Sequence, residues 1–279
     1  MQELSLEGVR GKLDRADEHL ETLQSKLKAL VESDAYKARG QFENERTEYV
    51  IRVKLGDPVQ LRRDLLRIGL IFGDGIQNLR TALDHLLCQL VIASGREPTK
   101  QNQFPIFTRD PTLDLTGREL RKWKRWTARV KSPYIGWLKF VQPYQADKTP
   151  ERNPERNPLA HLADFSNADK HRIVLPAVFA VTEDVREALK LTSYDMDTLG
   201  KARIIVGRPL EDGAEILRLP VRVTSPNPHM EMAGHVPLDV AFGEQLVTTT
   251  GVGEIRDTVR MTVEAFRRVT EGGDFLGRT

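Results

Sequence analysis

"DPVQLRRDLLRIGLIFGDGIQNLRTALDHLLCQLVIASG", residues 57–95, is the stretch on which the fold turns. Its apolar residues Leu65, Ile68, Phe72, Ile76, Leu79, Leu83, Leu86 and Leu90 step by three and four. That spacing stacks side chains on one face of an α-helix. Asp57 suits the N-cap, Pro58 the first helical position, and Gly95 the stop. One helix is therefore expected from about Asp57 to Ser94. Gly69 and Gly73 lie one turn apart within it. Each costs about 1 kcal/mol of helix propensity against alanine, so the pair predicts another helix packed close against them.

The flanks of this helix carry their own patterns. Upstream, Leu6, Val9, Leu13, Ala16, Leu20, Leu23, Leu27 and Leu30 form an a/d heptad with charges between. This predicts a long N-terminal helix over 1–33 that packs along another helix. Tyr49, Ile51, Val53 and Leu55 alternate with Glu48, Val50, Arg52 and Lys54, a period of two. A β-hairpin over 36–56 follows, with the region of Phe42 as partner strand. Downstream, 95–117 reads as an irregular connection holding "FPIF" (104–107). Two short helices are expected near 117–131 and 133–141. "PERNPERNP" (150–158) repeats a four-residue unit and its prolines make it a loop. Asn157–Pro158 then starts a helix to about Arg172.

Residues 173–245 change character. Leu217, Leu219, Val221 and Val223 alternate with Arg218, Pro220 and Arg222, so a strand is expected, with "IIVG" (204–207) pairing through a turn at Asp212–Gly213. Pro220 suggests an edge position. The end returns to helix over 250–271: Val252, Ile255, Val259, Thr262, Phe266 and Val269 step by three and four, and Gly272–Gly273 stop it. The expectation is one α+β domain over 1–279: a helical bundle, with its core at 57–172, decorated by small antiparallel sheets.

Composition narrows the function classes. The chain has 279 residues, 39% hydrophobic and 29% charged, with a formal net charge of +2. Global charge therefore names no partner, and a nucleic-acid argument must rest on a local patch. The single cysteine, Cys88, permits no internal disulfide and points to a reducing, cytoplasmic setting. No apolar h-region opens the chain, and the run "IVLPAVFAV" (173–181) falls short of the ~20 residues that span a bilayer. Neither GxxxxGK nor GxGxxG, HExxH or GxSxG is present. His229 and His235, in an expected loop, lack the cysteines that would make a zinc site persuasive. No cofactor and no metal is assigned.

The chemistry-bearing residues gather in three places. On the long helix, Asp74, Asn78, Thr81, His85 and Gln89 fall in one stripe opposite the leucines, with Cys88 beside it. The stripe holds no lysine or glutamate, the usual furnishing of a solvated face. Short polar groups suit a cleft, a subunit contact or a buried hydrogen-bond network. Arg80 and Asp84 have the i,i+4 spacing of a helical ion pair. Arg80 and His85, five residues apart, point about 140° apart on one helix, so they can meet at one ligand only across a dimer. A second group is "DFSNADKHR" (164–172). Asp164, Asn167 and His171 share a face there, Asp169 lies between them, and Lys170 and Arg172 sit where a helix C-terminus favours cations. Asp74, His85, Asp169 and His171 could assemble a metal site only through folding. The third is "RELRKWKRWTARVK" (118–131), with seven basic residues and one acid. Arg121, Lys122, Lys124 and Arg125 would serve phosphates. Trp123 and Trp126 share a face and read as core.

The Arg-x4-His spacing of Arg80 and His85, on a helix inside a helical bundle, resembles the HEPN superfamily. The resemblance implies a helical homodimer and, as in many members, a metal-independent ribonuclease with a composite arginine–histidine site at the dimer interface. A defence or toxin role is also implied by it. It carries over Arg80 and His85 as catalytic residues and Asp84 as their orienter. His171 would join as a further acid–base group, with Asp74, Asn78, Thr81, Asn167, Asp169, Lys170 and Arg172 as binding residues. "GDGIQNLRTALDH" (73–85), "FPIF" and "NADKHR" (167–172) also look like a bacterial family with no assigned activity, along most of the chain. Two other readings stay open: a non-catalytic oligomeric interaction protein, and an Asp/His-based small-molecule or metal-binding hydrolase.

Overall fold

The computed structural model describes residues 5–33, 35–146, 153–174, 176–180, 190–194, 196–205, 209–232, 238–244 and 246–271. The fold is α+β, a set of helices with small antiparallel sheets. The helices are α1 (Glu7–Val31), α2 (Pro58–Ala93), α3 (Arg118–Trp126), α4 (Tyr134–Phe140), α5 (Pro158–Asp169) and α6 (Thr249–Thr270). The chain divides into two compact units, one of Met1–Leu23, Leu70–Val174 and Thr250–Thr279, the other of Gln24–Gly69 and Leu175–Thr249. No described helix is long and apolar enough to cross a membrane.

In the first unit, the heptad residues of α1 up to Leu23 are buried, and so is the 3/4 stripe of α2 from Phe72 to Leu90. Ser5 N donates to Gln89 Oε1 (3.2 Å) and Lys12 Nζ to Asn78 Oδ1 (3.2 Å), so α1 runs antiparallel to α2. A Cβ on Gly75 would lie 3.3 Å from Leu20, and the missing side chain lets the helices approach there. α6 buries Val252, Ile255, Val259, Val263 and Phe266, and Arg260 pairs with Asp17 of α1. The close approach expected at Gly73 is made by α5: a Cβ there would lie 2.1 Å from Asp169 Oδ1. Phe72 and Phe165 stack edge to face beside it, 5.0 Å between ring centroids. Gly95, at φ +71°, ends α2 in the left-handed region that glycine tolerates.

Two helices end earlier than their patterns suggest. α3 stops at Trp126 rather than near 131, because Asn102 Nδ2 takes the carbonyls of Trp126 (3.0 Å) and Ala128 (2.9 Å) and Arg129 turns to φ +73°. α5 stops at Asp169 rather than at Arg172; His171 N and Arg172 N both fold back onto Ala168 O.

In the second unit the main sheet has the order β1-β2-β7-β5, with β6 also on β7. Its strands are β1 (Tyr36–Glu43), β2 (Glu48–Leu55), β5 (Met196–Thr198), β6 (Arg203–Ile204) and β7 (Glu215–Val223). The hairpin pairs Phe42 with Tyr49 and Tyr36 with Leu55. The turn before β7 has Gly213 at φ +80°; of "IIVG", Ile204 pairs opposite Leu217 and Ile205 N donates to Ile216 O (3.0 Å), while Val206 and Gly207 lie outside the described residues. β3 (Pro176–Ala180), β9 (Leu238–Phe242) and β10 (Val247–Thr248) make a second sheet, and β4 (Leu191–Tyr194) pairs with β8 (His229–Met232). His229 thus lies in a strand rather than a loop. His235, Gly272 and Gly273 lie outside the described residues.

Pro220 is not on an edge strand: β7 is internal, with β2 on one side and β5 and β6 on the other. The proline is tolerated because its position removes nothing. Leu199 N donates to Pro220 O, while Val221 N donates to Thr47 O on the opposite flank. Pro220 therefore faces the junction of β5, which pairs with 221–223, and β6, which pairs with 217–218. A missing N–H costs little at such a break.

One face of this sheet buries Tyr49, Ile51, Val53, Leu217, Leu219 and Val221. A charge network joins β1, β2 and β7: Arg218 contacts Glu48 (2.5 Å), Glu215 (2.6 Å) and Glu43 (3.4 Å), and Arg52 contacts Glu43 (2.5 Å). The Arg52 hydrogen bond, ahead of that from Gln41, holds the Glu43 carboxyl down from 4.5 to about 2. A depressed acid contributes stability above its unfolded pKa and loses it as pH falls through the folded one. The sheet is therefore expected to weaken between about pH 4.5 and about pH 2. Thermal melts across that window should show a shallower dependence for Glu43→Gln than for the parent; equal slopes would rule the network out as the cause.

Candidate functional site

The long-helix residues face different neighbours. Arg80 is 5% exposed. Its Nη2 donates to Asp84 Oδ1 (3.1 Å) and to the carbonyl of Phe104 (2.6 Å). Asp84 Oδ1 in turn accepts from Phe104 N (2.8 Å). The ion pair thus acts as a two-point clamp on the backbone of the first residue of "FPIF". Burial pushes the Arg80 guanidinium pKa down, opposed by Asp84. Burial likewise pushes the Asp84 carboxyl up, opposed by Arg80, by the Phe104 N–H and by the charge of Lys170. Burial, then the Asp84 charge, raises the Cys88 thiol.

The rest of "FPIF" is held in the same way. Gln142, 2% exposed, accepts from Phe107 N (3.0 Å) and donates to Pro105 O (2.9 Å) and Leu138 O (2.8 Å). Phe107 O accepts from Tyr144 N (3.2 Å). A buried segment without helix or ladder must find backbone partners elsewhere, and here side chains supply them. "FPIF" is thus held through its backbone by Arg80, Asp84 and Gln142.

His85 is exposed and lies against α1, its Nδ1 3.4 Å from the Gly8 carbonyl. Its contact with Gly8 O is distinct from the Asp84 and Phe104 contacts of Arg80. Asn78 takes Lys12 and donates back to Asp74 O (2.8 Å), and Thr81 Oγ1 donates to Gln77 O (2.7 Å). The polar stripe is thus the border of the α1–α2 seam. Asp169 Oδ2 accepts from Gln77 Nε2 (3.2 Å), which also donates to Ser166 O (2.9 Å). Asn167, Lys170, His171 and Arg172 are exposed. Among the described residues no three His, Cys, Asp or Glu side chains gather as a metal-holding group.

The basic stretch sorts by face. Trp123 is buried and Trp126 half-buried, both against Phe107 at 6.0 and 5.5 Å between centroids. Arg118, Arg121, Lys124 and Arg125 are exposed. Lys122 is tied to Glu119 (2.8 Å), and Arg121 Nη1 donates to Thr116 O (3.2 Å).

Beside α3 lies a cleft of about 730 Å³, lined by the 108–115 loop, Glu119, Tyr144, Gln145 and Pro154. No motif in the sequence marks it; its only trace is two leucines, Leu113 and Leu115, in a polar loop. The architecture defines an α+β protein with a helical core, a side-chain-clamped inner loop, a basic helix and an adjoining cleft. Comparison with family models, curated proteins and solved structures finds no match to this chain.

Proposed function

We propose that the protein is a HEPN-like, homodimeric RNA-binding protein that holds RNA without cutting it, through the outer face of α3. The observation that carries this is the sorting of α3: its tryptophans pack inward on Phe107, and Arg118, Arg121, Lys124 and Arg125 stand in solvent. Four such cations along one helix suit a phosphate backbone read without sequence preference. The cleaving version of the reading needs the Arg80 guanidinium on a phosphate in the transition state. That group is committed to Asp84 and Phe104, which favours binding over cleavage. The homodimer belongs to the same proposal, and the mass in solution tests it.

The functional test is anisotropy of labelled RNA in excess EDTA at about 50 and about 200 mM salt. The parent should bind, more weakly at the higher salt, and leave the RNA intact. Reversing Arg118, Arg121, Lys124 and Arg125 to glutamate should weaken binding by more than about tenfold and flatten the salt slope by roughly 0.7 per lost phosphate contact. Cleavage by the parent that Arg80→Ala and His85→Ala both lose would instead establish the ribonuclease. A parent that binds no RNA would overturn the proposal.

A further inference from the structure

The cleft beside α3 has two kinds of wall. Leu113 and Leu115 are 73% and 103% exposed. Both project from a loop braced by its own side chains: Asp110 Oδ1 accepts from Thr112 N (2.8 Å), and Asp114 accepts from Thr116 N (3.0 Å) and Glu119 N (2.8 Å). A leucine left that far in water contributes almost nothing to folding by burial. With half-buried Tyr144 they give the cleft an apolar surface. The polar side is carboxylate. Asp110 uses Oδ1 on Thr112 and Glu119 uses Oε1 on Lys122, which leaves Asp110 Oδ2 and Glu119 Oε2 able to accept from a ligand.

A phosphate would be repelled from Asp110, Asp114 and Glu119. A flat, apolar group with N–H donors on its edge would be held. The cations for a phosphate are next door, on Arg118 and Arg121 of α3 and on Arg109 at the cleft. We infer that the cleft takes an unstacked nucleobase of a single-stranded RNA whose backbone lies on α3. The inference rests on the RNA-binding reading and adds the form of RNA bound. A duplex can offer phosphates to α3, but its base faces are stacked on one another and cannot meet the leucines and the tyrosine. A single strand offers both, as with other proteins that pair a basic track with aromatic side chains on which bases stack, the part Tyr144 would play here beside the leucines. The carboxylates add a preference. Cytosine, adenine and guanine carry exocyclic amino groups, and uracil carries only a ring N–H.

The test compares the parent with a Leu113→Ser, Leu115→Ser variant and with Glu119→Gln, using labelled oligo(C), oligo(A), oligo(U) and a duplex of equal length. The parent should bind oligo(C) and oligo(A) several-fold more tightly than oligo(U) and the duplex. The leucine variant, altered only at exposed positions, should lose several-fold on single strands, as the apolar contact with the base is removed, and little on the duplex. Glu119→Gln should narrow the gap between oligo(C) and oligo(U). Equal binding of duplex and single strand, or cleft variants that bind like the parent while the α3 reversal abolishes binding, would overturn the inference and leave the RNA-binding reading standing. A parent that binds none of the four would remove both.

Discussion

Arg80→Met is expected to lower the unfolding free energy by about 3–5 kcal/mol, the cost of removing one partner of a buried ion pair. Two losses and one burial cost combine. The Phe104 carbonyl loses its 2.6 Å donor, Asp84 loses its cation, and the carboxylate stays where burial already raises its pKa. The Asp84 side chain keeps 32% of its exposure, so the lower end of the range is the better expectation. For a chain of this size that is a fall in Tm of roughly 10 °C. Asp84→Asn should cost a comparable amount, about 3–5 kcal/mol: an amide oxygen can still accept from Phe104 N, but the guanidinium of Arg80, the more deeply buried partner, is left without its anion. The double variant should cost less than the sum, since no unpaired charge remains. The sign with pH follows. In Arg80→Met the lone carboxyl has a raised folded pKa, so its penalty is present at neutral pH and relieved as pH falls. A loss under about 1 kcal/mol, well below the buried-pair range, would mean that the guanidinium is not committed to the clamp. Arg80 would then be free to meet a phosphate, and the ribonuclease reading would gain.

The elements that periodicity marks are those whose partners are regular. The α1 heptad and the α2 stripe are visible because each helix buries one face against another helix, and Tyr49, Ile51 and Val53 because a sheet buries one side. Caps are visible for the same reason: Asp57 accepts from Val59 N, and Asn157 from Leu159 N, as local geometry requires. The ends of α3 and α5 are not visible, because they are set by distant groups. Asn102 stops α3 from 24 residues away, and nothing in "RELRKWKRWTARVK" announces it. Pro220 misleads for a related reason. Its rule concerns a missing N–H, and whether that N–H is missed depends on where β5 and β6 happen to meet.

The candidate site divides likewise. The unusual make-up of "NLRTALDH" is a real signal, but a lack of lysine and glutamate reports only that the face is not free in water. It does not say whether the neighbour is a ligand, α1 or "FPIF". The Arg80–Asp84 spacing carries the pair, whereas the Phe104 backbone between its two ends has no mark in the sequence. Gln142 carries still less, being one glutamine before Pro143 in an ordinary stretch. The tryptophans of α3 are legible as core because they share a helical face, and that same fact leaves the cations outside. The cleft is illegible because its walls come from the 108–115 loop, Glu119, Tyr144, Gln145 and Pro154, which only folding brings together.

Gln142→Leu tests the other half of the clamp and is expected to cost about 2–4 kcal/mol, on the order of 1–3 kcal/mol for each buried backbone group left without a partner. The leucine fills nearly the same space, so packing is kept and the loss isolates hydrogen bonding. Phe107 N and Pro105 O are the groups stranded. Gln142→Glu should be worse at neutral pH. It keeps the acceptor for Phe107 N but turns a second oxygen, charged and buried, toward the Pro105 and Leu138 carbonyls. That penalty should fall as the pH is lowered and the carboxyl protonates. Hydrogen exchange separates this clamp from the first one. The Phe107 amide should lose protection in Gln142→Leu while the Phe104 amide, held by Asp84, keeps it. Arg80→Met should loosen the segment from the Phe104 end. If both amides lose protection together in Gln142→Leu, "FPIF" opens as one unit, and the two clamps are a single cooperative lock on the inner loop.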